Sequence, residues 1–315
     1  MSAIKVLSPG GYTTIQDKGR FGFQNMGIPV SGVMDVFAFM LSNLLVGNPE
    51  NTAVMELTVM GPSLEITRVM DIALTGATMG IRINDTPVNQ WCSLRVKPGD
   101  CITIGQVQSG CRAYLAVSGG IKVPQVMGSF STYVGGKIGG FNGRPLQKND
   151  ILETRDIPLL KKVRTIPKQL IPVYSSQAVV RAILGPQDDY FDTGIETIFQ
   201  SEYMVTAKAD RMGYRLQGNT VPIKEGMPKS IVSEPSMPGS IQIPPDQQPI
   251  ILLVEQTVGG YAKIATVISS DLPIVAQTTP GDTIKFEPVD LKNAHRLILE
   301  RKNNLNTIKE LFTMA

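Results

Sequence analysis

At 315 residues, with 30 glycines, 22 prolines, 6% aromatic and 18% charged residues, the chain has room for two domains built of short strands and tight turns. A net charge of +3 is too small to argue for a nucleic-acid partner. The single histidine, His295, rules out a multi-histidine zinc site, and Cys92, Cys101 and Cys111 lack metal-ligand spacing, so no metal is expected.

In chain order, residues 4–7 and 12–15 read as strands around the turn Ser8-Pro9-Gly10-Gly11. A polar loop, Gln16-Asp17-Lys18-Gly19-Arg20, follows. A helix is predicted from Asp35, with Val36, Phe37, Met40, Leu41, Leu44 and Leu45 on one face and Gly47 past its end. Asp35 is then either a helix cap or a site carboxylate. Glu56, inside the strand 54–59, is either a solvent-face residue or a site carboxylate. Further strands are predicted at 64–67, 71–75, 80–83, 93–96, 101–104 and 114–117. No apolar run reaches ~18 residues, the length of a membrane span, and the N-terminus shows no apolar secretory region. The expectation is a reduced, cytoplasmic protein with no membrane partner.

Gly128 to Asp150 is the most unusual stretch. Gly135, Gly136, Gly139, Gly140 and Gly143 surround Lys137, Asn142 and Arg144. Glycine lets a ligand approach the backbone. One reading is a rigid loop whose N–H groups, with Lys137 and Arg144, receive an anion. The other is a pair of tight turns. It is not a Walker loop, because Gly136-Lys137 is followed by Ile138.

Residues 161–177, punctuated by Pro167 and Pro172, read as a linker between units over 1–160 and 178–315. Strands resume at 179–184, a helix is predicted over 188–200, and strands follow at 240–243, 250–254, 264–268 and 283–286. A second glycine-centred loop runs from Gln256 through Gly259, Gly260 and Tyr261 to Lys263. The tail from Leu291 to about Met314 is helical. Strands end in Gly-Pro at 61–62 and 185–186, and run to Gly-Gly at 119–120 and 259–260, a weak internal repeat. The fold class expected is mainly β with minor α, as two related barrel units in tandem.

The blocks at 11–35, 55–62, 128–150, 210–216 (DRMGYRL) and 259–273 (GGYAKIATVISSDLP) stand in one order along the chain. Together they resemble the allophanate hydrolase subunit 2 family, also called the biotin-dependent carboxyltransferase family, the 5-oxoprolinase C subunit family or KipA-like. The resemblance implies two cyclophilin-like β-barrels. It implies a B-type partner protein (allophanate hydrolase subunit 1, KipI-like). With an A-type partner as well, it implies an ATP-dependent 5-oxoprolinase opening a lactam to glutamate. The alternatives it carries are carboxyl transfer to urea from a biotinyl protein and regulation of a kinase inhibitor. ATP is expected to be shared with the partner proteins. The absence of a Met-Lys pair means no covalently bound biotin in this chain.

On that resemblance Lys137, Arg144 and Lys263 are the catalytic candidates, as cations that stabilise negative charge on an activated lactam. Asp17, Arg20, Asp35, Glu56 and Arg211 are candidates for contacts to substrate or to a partner protein, with the glycines, Asn142, Gln256 and Tyr261 around them. Val254-Glu255 precede Gln256 where the family pattern has an acidic-basic pair, and Ala262 stands where Pro is common.

Overall fold

The computed structural model describes residues 2–313, and Met314, at the predicted end of the tail helix, lies outside them. The chain forms two compact units. One comprises the chain to Arg20, Ser31–Val173 and the chain from Asn304; the other comprises Phe21–Val30 and Tyr174–Asn303.

The first unit holds strands β1 (Ser2–Ser8), β2 (Tyr12–Gln16), β3 (Val54–Thr58), β4 (Ser63–Ile66), β5 (Met70–Ile83), β6 (Thr86–Val88), β7 (Leu94–Val96), β8 (Cys101–Val117) and β9 (Ile151–Glu153), with helix α1 (Val36–Leu45). They make one nine-stranded sheet in the order β2-β3-β8-β4-β1-β9, with β5 against β6, β7 and β8. Where four short strands were expected, β5 and β8 form one long antiparallel pair. Gly76 and Gly110 look like breakers, but they sit at φ +87° and +81° within the strands. A Cβ on Gly76 would lie 2.5 Å from the Arg112 carbonyl oxygen, so the glycine permits a bulge without ending the pairing.

One face of the sheet packs Ile4, Ile15, Met55, Leu57, Leu74 and Leu115 into a closed core. The other packs α1 through Phe39, Leu41 and Leu45 against Ala73, Tyr114 and Ala116. Asp35 caps α1 by accepting from the Ala38 amide at 3.0 Å. Residues 161–173, read as linker, belong to this unit. Ile166 is buried beside α1 with Leu170 and Ile171 against the same cluster, because the apolar side chains between the prolines find that face.

The second unit holds β10 (Gln177–Leu184), α2 (Thr193–Gln200), β11 (Glu202–Ala209), β12 (Gly213–Gln217), β13 (Glu234–Pro235), β14 (Ser240–Ile243), β15 (Ile250–Leu252), β16 (Val258–Gly259), β17 (Ala262–Val267), α3 (Leu272–Ala276), β18 (Thr283–Pro288) and the start of α4 (Leu291–Thr313). Seven strands close a barrel in the order β10-β17-β14-β15-β12-β11-β18, and β13 and β16 form a separate two-stranded ribbon. Closure leaves no edge to cap. Tyr203, Val205, Tyr214, Leu216, Ile241, Ile251 and Phe286 are buried, at alternate positions of their strands. No helix among the described residues is long and apolar enough to cross a membrane.

Candidate functional site

The first glycine loop folds onto itself. Tyr133 and Ile138 bridge as a hairpin, the Lys137 amide donates to Val134, and the Gly143 amide donates to Gly139 at 2.8 Å. Gly139, Gly140 and Gly143 have φ near +60°, and a Cβ on Gly140 would lie 1.8 Å from Thr132 Oγ1. Gly135 and Gly136 form an exposed turn over the Tyr133 ring. Thus the amides of Lys137, Ile138, Gly143 and Arg144, four of those expected to receive an anion, already have carbonyl partners.

Its cations divide. Arg144 is clasped bidentately by Asp150, both bonds at 2.8 Å, and lies over Phe141. The hydrogen bond it donates to Asp150 raises the Arg144 pKa from its ordinary value. Lys137 and Asn142 are exposed at positive φ, and among the described residues Lys137 has no ion-pair partner. Of the two cations expected here, Lys137 is the one without a carboxylate partner among the described residues.

Beneath the loop sit two charges expected at a site. Asp17, 1% exposed, accepts from the Gly19 and Phe130 amides and from the Ser129 and Ser131 hydroxyls at 2.5–2.9 Å. Arg20 is fully buried and donates to the carbonyls of Val126 and Ser131. Burial lowers its pKa, and the Asp17 charge opposes that shift. This pair ties the loop to β2.

Asp35 and Glu56 form a second buried group around Tyr114. The Asp35 amide donates to the Tyr114 hydroxyl at 2.7 Å, and that hydroxyl donates to Glu56 at 2.9 Å. Burial, then the nearby charges of Glu56 and Asp35, push the tyrosine pKa well up, so it stays a donor. Glu56 also accepts from the Met34 amide, which holds the approach to α1. Glu56 therefore does not face solvent as one reading had it, and Asp35 acts as the cap.

In the second unit the glycine loop covers a cavity of about 500 Å³. Gly213 and Arg215 of β12, Gln242 of β14 and Ile250 and Leu252 of β15 line it. These alternate with the buried Tyr214, Leu216, Ile241 and Ile251, so the cavity lies on the opposite face of those strands. Gln256, Val258, Gly259, Gly260 and Tyr261 line its loop side.

Several interactions hold that loop. Glu234 pairs with Gly259 in the β13–β16 ribbon, and its carboxylate takes the buried Lys263 Nζ and Gln187 Nε2. The Ile231 amide donates to the Gly260 carbonyl at 2.8 Å. Arg211, with Nε 2.6 Å from Glu255, anchors the loop start. The Gln256 side-chain amide donates to the Val258 carbonyl. Lys263 and Arg211, expected as substrate or catalytic cations, are thus engaged by carboxylates of their own unit.

Gln242 is 3% exposed, and its Nε2, like Nη1 of Arg20 beneath the first loop, has no hydrogen-bond partner. An unsatisfied buried amide costs about 1–3 kcal/mol. Around it, Lys208 and Arg215 are exposed lining residues without a carboxylate partner among the described residues. Sequence reasoning named Gln256 and Tyr261 but missed Gln242, Lys208, Arg215 and Glu234. The available signal was one polar residue flanked by Ile241 and Ile243 in a buried strand. Among the described residues no three His, Cys, Asp or Glu side chains converge as a metal site would require.

Comparison with known proteins places this architecture. The family described as carboxyltransferase domain, subdomain A and B, matches residues 26–288. The chain is 37% identical over 304 residues to the 5-oxoprolinase C subunit of Haemophilus influenzae, covering 96% of each. It is 37% identical over 294 residues to the Escherichia coli protein of the same name, covering 92% of this chain and 93% of that one. The crystal structure of K. lactis urea amidolyase matches with a TM-score of 0.92 at 32% identity over 97% of this chain, which spans 20% of that larger protein.

Proposed function

The chain belongs to the carboxyltransferase domain, subdomain A and B, family, and we propose that it serves as the C subunit of an ATP-dependent 5-oxoprolinase. The observation that carries this reading is the match to two proteins named as the C subunit of 5-oxoprolinase, along nearly the whole length of both chains. Its partners in that reading are the A and B subunits. The net reaction opens 5-oxoproline to glutamate with ATP hydrolysed to ADP and phosphate.

In the first glycine loop the amides of Lys137, Ile138 and Gly143 donate to Val134, Tyr133 and Gly139, and Arg144 is closed on Asp150, which supports leaving the nucleotide to other subunits. We therefore assign ATP to the partner proteins and give this chain the handling of the lactam. The substrate carbonyl is unreactive until activated, and the role left for this chain is to hold the ring so that water can add to the activated carbonyl.

The test is the purified chain mixed with the A and B subunits, ATP and 5-oxoproline, with glutamate as the readout. ATP-dependent glutamate release that needs this chain is the expected result. The likeness to urea amidolyase favours a second reading, carboxyl transfer to an amide from a biotinyl protein. Carboxylated urea formed in a mixture with carboxybiotinyl protein, with no glutamate from 5-oxoproline, would replace the first reading by the second.

A further inference from the structure

We propose that the mouth of the second-unit cavity is a docking surface for another subunit, and that it takes an apolar segment bearing carboxylates. Met212 and Val258 both line the cavity, and they are 51% and 50% exposed. Pro235 stands opposite Val258 in the β13–β16 ribbon and is exposed as well. Cross-strand partners put their side chains on one face, so Pro235 and Val258 present a joint apolar surface. A single exposed methionine is ordinary, whereas three apolar side chains grouped at one opening mark a contact surface. Gln242 takes no part, being buried beneath the loop.

Charge decides the kind of partner. Lys208 of β11 and Arg215 of β12 line the same cavity, exposed and without a carboxylate partner among the described residues. The carboxylate in the lining, Asp210, turns back on its own chain, where Oδ1 accepts from the amides of Met212 and Gly213 at 2.8 and 3.2 Å. The rim is therefore left with a surplus of positive charge. A second copy of this chain is a poor occupant, because a symmetric contact through this mouth would bring one cationic rim against the other. A different chain carrying Asp or Glu beside apolar side chains meets both features. Its apolar groups cover Met212 and Val258, and its carboxylates reach Lys208 and Arg215. Methionine suits the contact, since its flexible thioether adapts to what it meets. The identity of that chain as a 5-oxoprolinase subunit rests on the reading above, whereas the surface stands on the residues at the mouth.

The experiment measures association of the full-length chain with the purified A and B subunits, each alone, by surface plasmon resonance at low and high salt. One of the two is expected to bind, and to bind more weakly as salt rises. Lys208→Glu combined with Arg215→Glu weakens that binding at least about tenfold, chiefly through a slower on-rate, and abolishes its salt dependence. Met212→Ser combined with Val258→Thr weakens it through a faster off-rate and leaves the salt dependence in place. All four side chains are exposed, so the melting temperature stays level in both variants. Lys292→Glu combined with Lys302→Glu, the same change of charge at exposed positions of α4, keeps wild-type affinity. Wild-type affinity in both cavity variants, an equal loss in the α4 variant, or no binding of either subunit overturns the proposal. If the cavity variants lose a subunit and the three-subunit mixture releases no glutamate from 5-oxoproline, the surface stands and the oxoprolinase reading falls. If glutamate release needs this chain and both cavity variants keep full affinity, the reading stands and the surface falls.

Discussion

The glycine loop of the first unit and that of the second share a composition and differ in where their polar groups go. In the first, Lys137, Ile138 and Gly143 give their amides to carbonyls of the same loop, Arg144 closes on Asp150, and Asp17 gathers Ser129, Phe130 and Ser131 below. In the second, Gly259 and Gly260 pass over a cavity in which Gln242 has no partner for its nitrogen. Glycine serves close packing in one and room beside a side-chain amide in the other. Glycine density alone does not separate these uses, nor does an unsatisfied buried group, since Arg20 Nη1 beneath the first loop lacks a partner as Gln242 Nε2 does.

The largest effects are expected where the first loop is held. Asp17→Ala removes four hydrogen-bond acceptances and leaves the Arg20 charge buried without its carboxylate neighbour. A loss of about 3–5 kcal/mol is expected in urea unfolding. Gly140→Ala, with φ at +55° and Thr132 Oγ1 in the way, should exceed about 3 kcal/mol by the same measurement. Unchanged midpoints with lost partner binding would turn the comparison around and make the first loop the recognition loop.

A smaller loss is expected from Lys263→Met. The lysine is buried and its partner Glu234 is partly exposed, so the orphaned carboxylate can reach water. About 1–2 kcal/mol is the expected cost, with faster amide exchange at Gly259 and Gly260 as the ribbon loosens. An unaltered exchange rate there would show that the ion pair does not hold the loop. Lys137→Ala should change stability by less than about 0.5 kcal/mol, since the side chain is exposed and unpaired. Full turnover by the complex carrying it would leave the first loop a turn, and lost turnover with the complex intact would restore Lys137 as a catalytic cation.

Much of this fold was legible because local rules and global packing agree. Asp35 before an apolar stripe and Gly47 after it marked α1, and the structure places the cap and the φ +76° glycine there. The long pair β5–β8 was not legible, since Gly76 and Gly110 carry the same local signal whether they bulge a strand or end it. The closed barrel strand order depends on pairings such as β10 with β18, separated by most of the second unit, which no local pattern encodes. At the sites, the residue types were legible and their engagement was not. Arg144, Arg211 and Lys263 read as cations, but whether a carboxylate such as Asp150, Glu255 or Glu234 meets them is decided by the folded chain.

The smallest effect concerns acid. The hydrogen bond from Lys263, then that from Gln187, holds the Glu234 carboxyl below its ordinary value of 4.5, while burial opposes them. The folded state thus favours the ionised form, and the unfolded chain takes up the proton first as pH falls. The stabilisation from this carboxylate is complete above 4.5 and is lost as pH drops through the lowered folded value. Glu234→Gln keeps the shape and the hydrogen bonding to Gln187 but removes the charge that meets Lys263. The difference in melting temperature between wild type and Glu234→Gln should be constant from about pH 6 to 8 and should narrow below the ordinary carboxylate value. A difference that stays level down to about pH 3 would mean that Lys263 draws no support from the charge. The ribbon over the cavity would then rest on backbone pairing, the Ile231 bond, the Gln187 bond and the Arg211–Glu255 anchor.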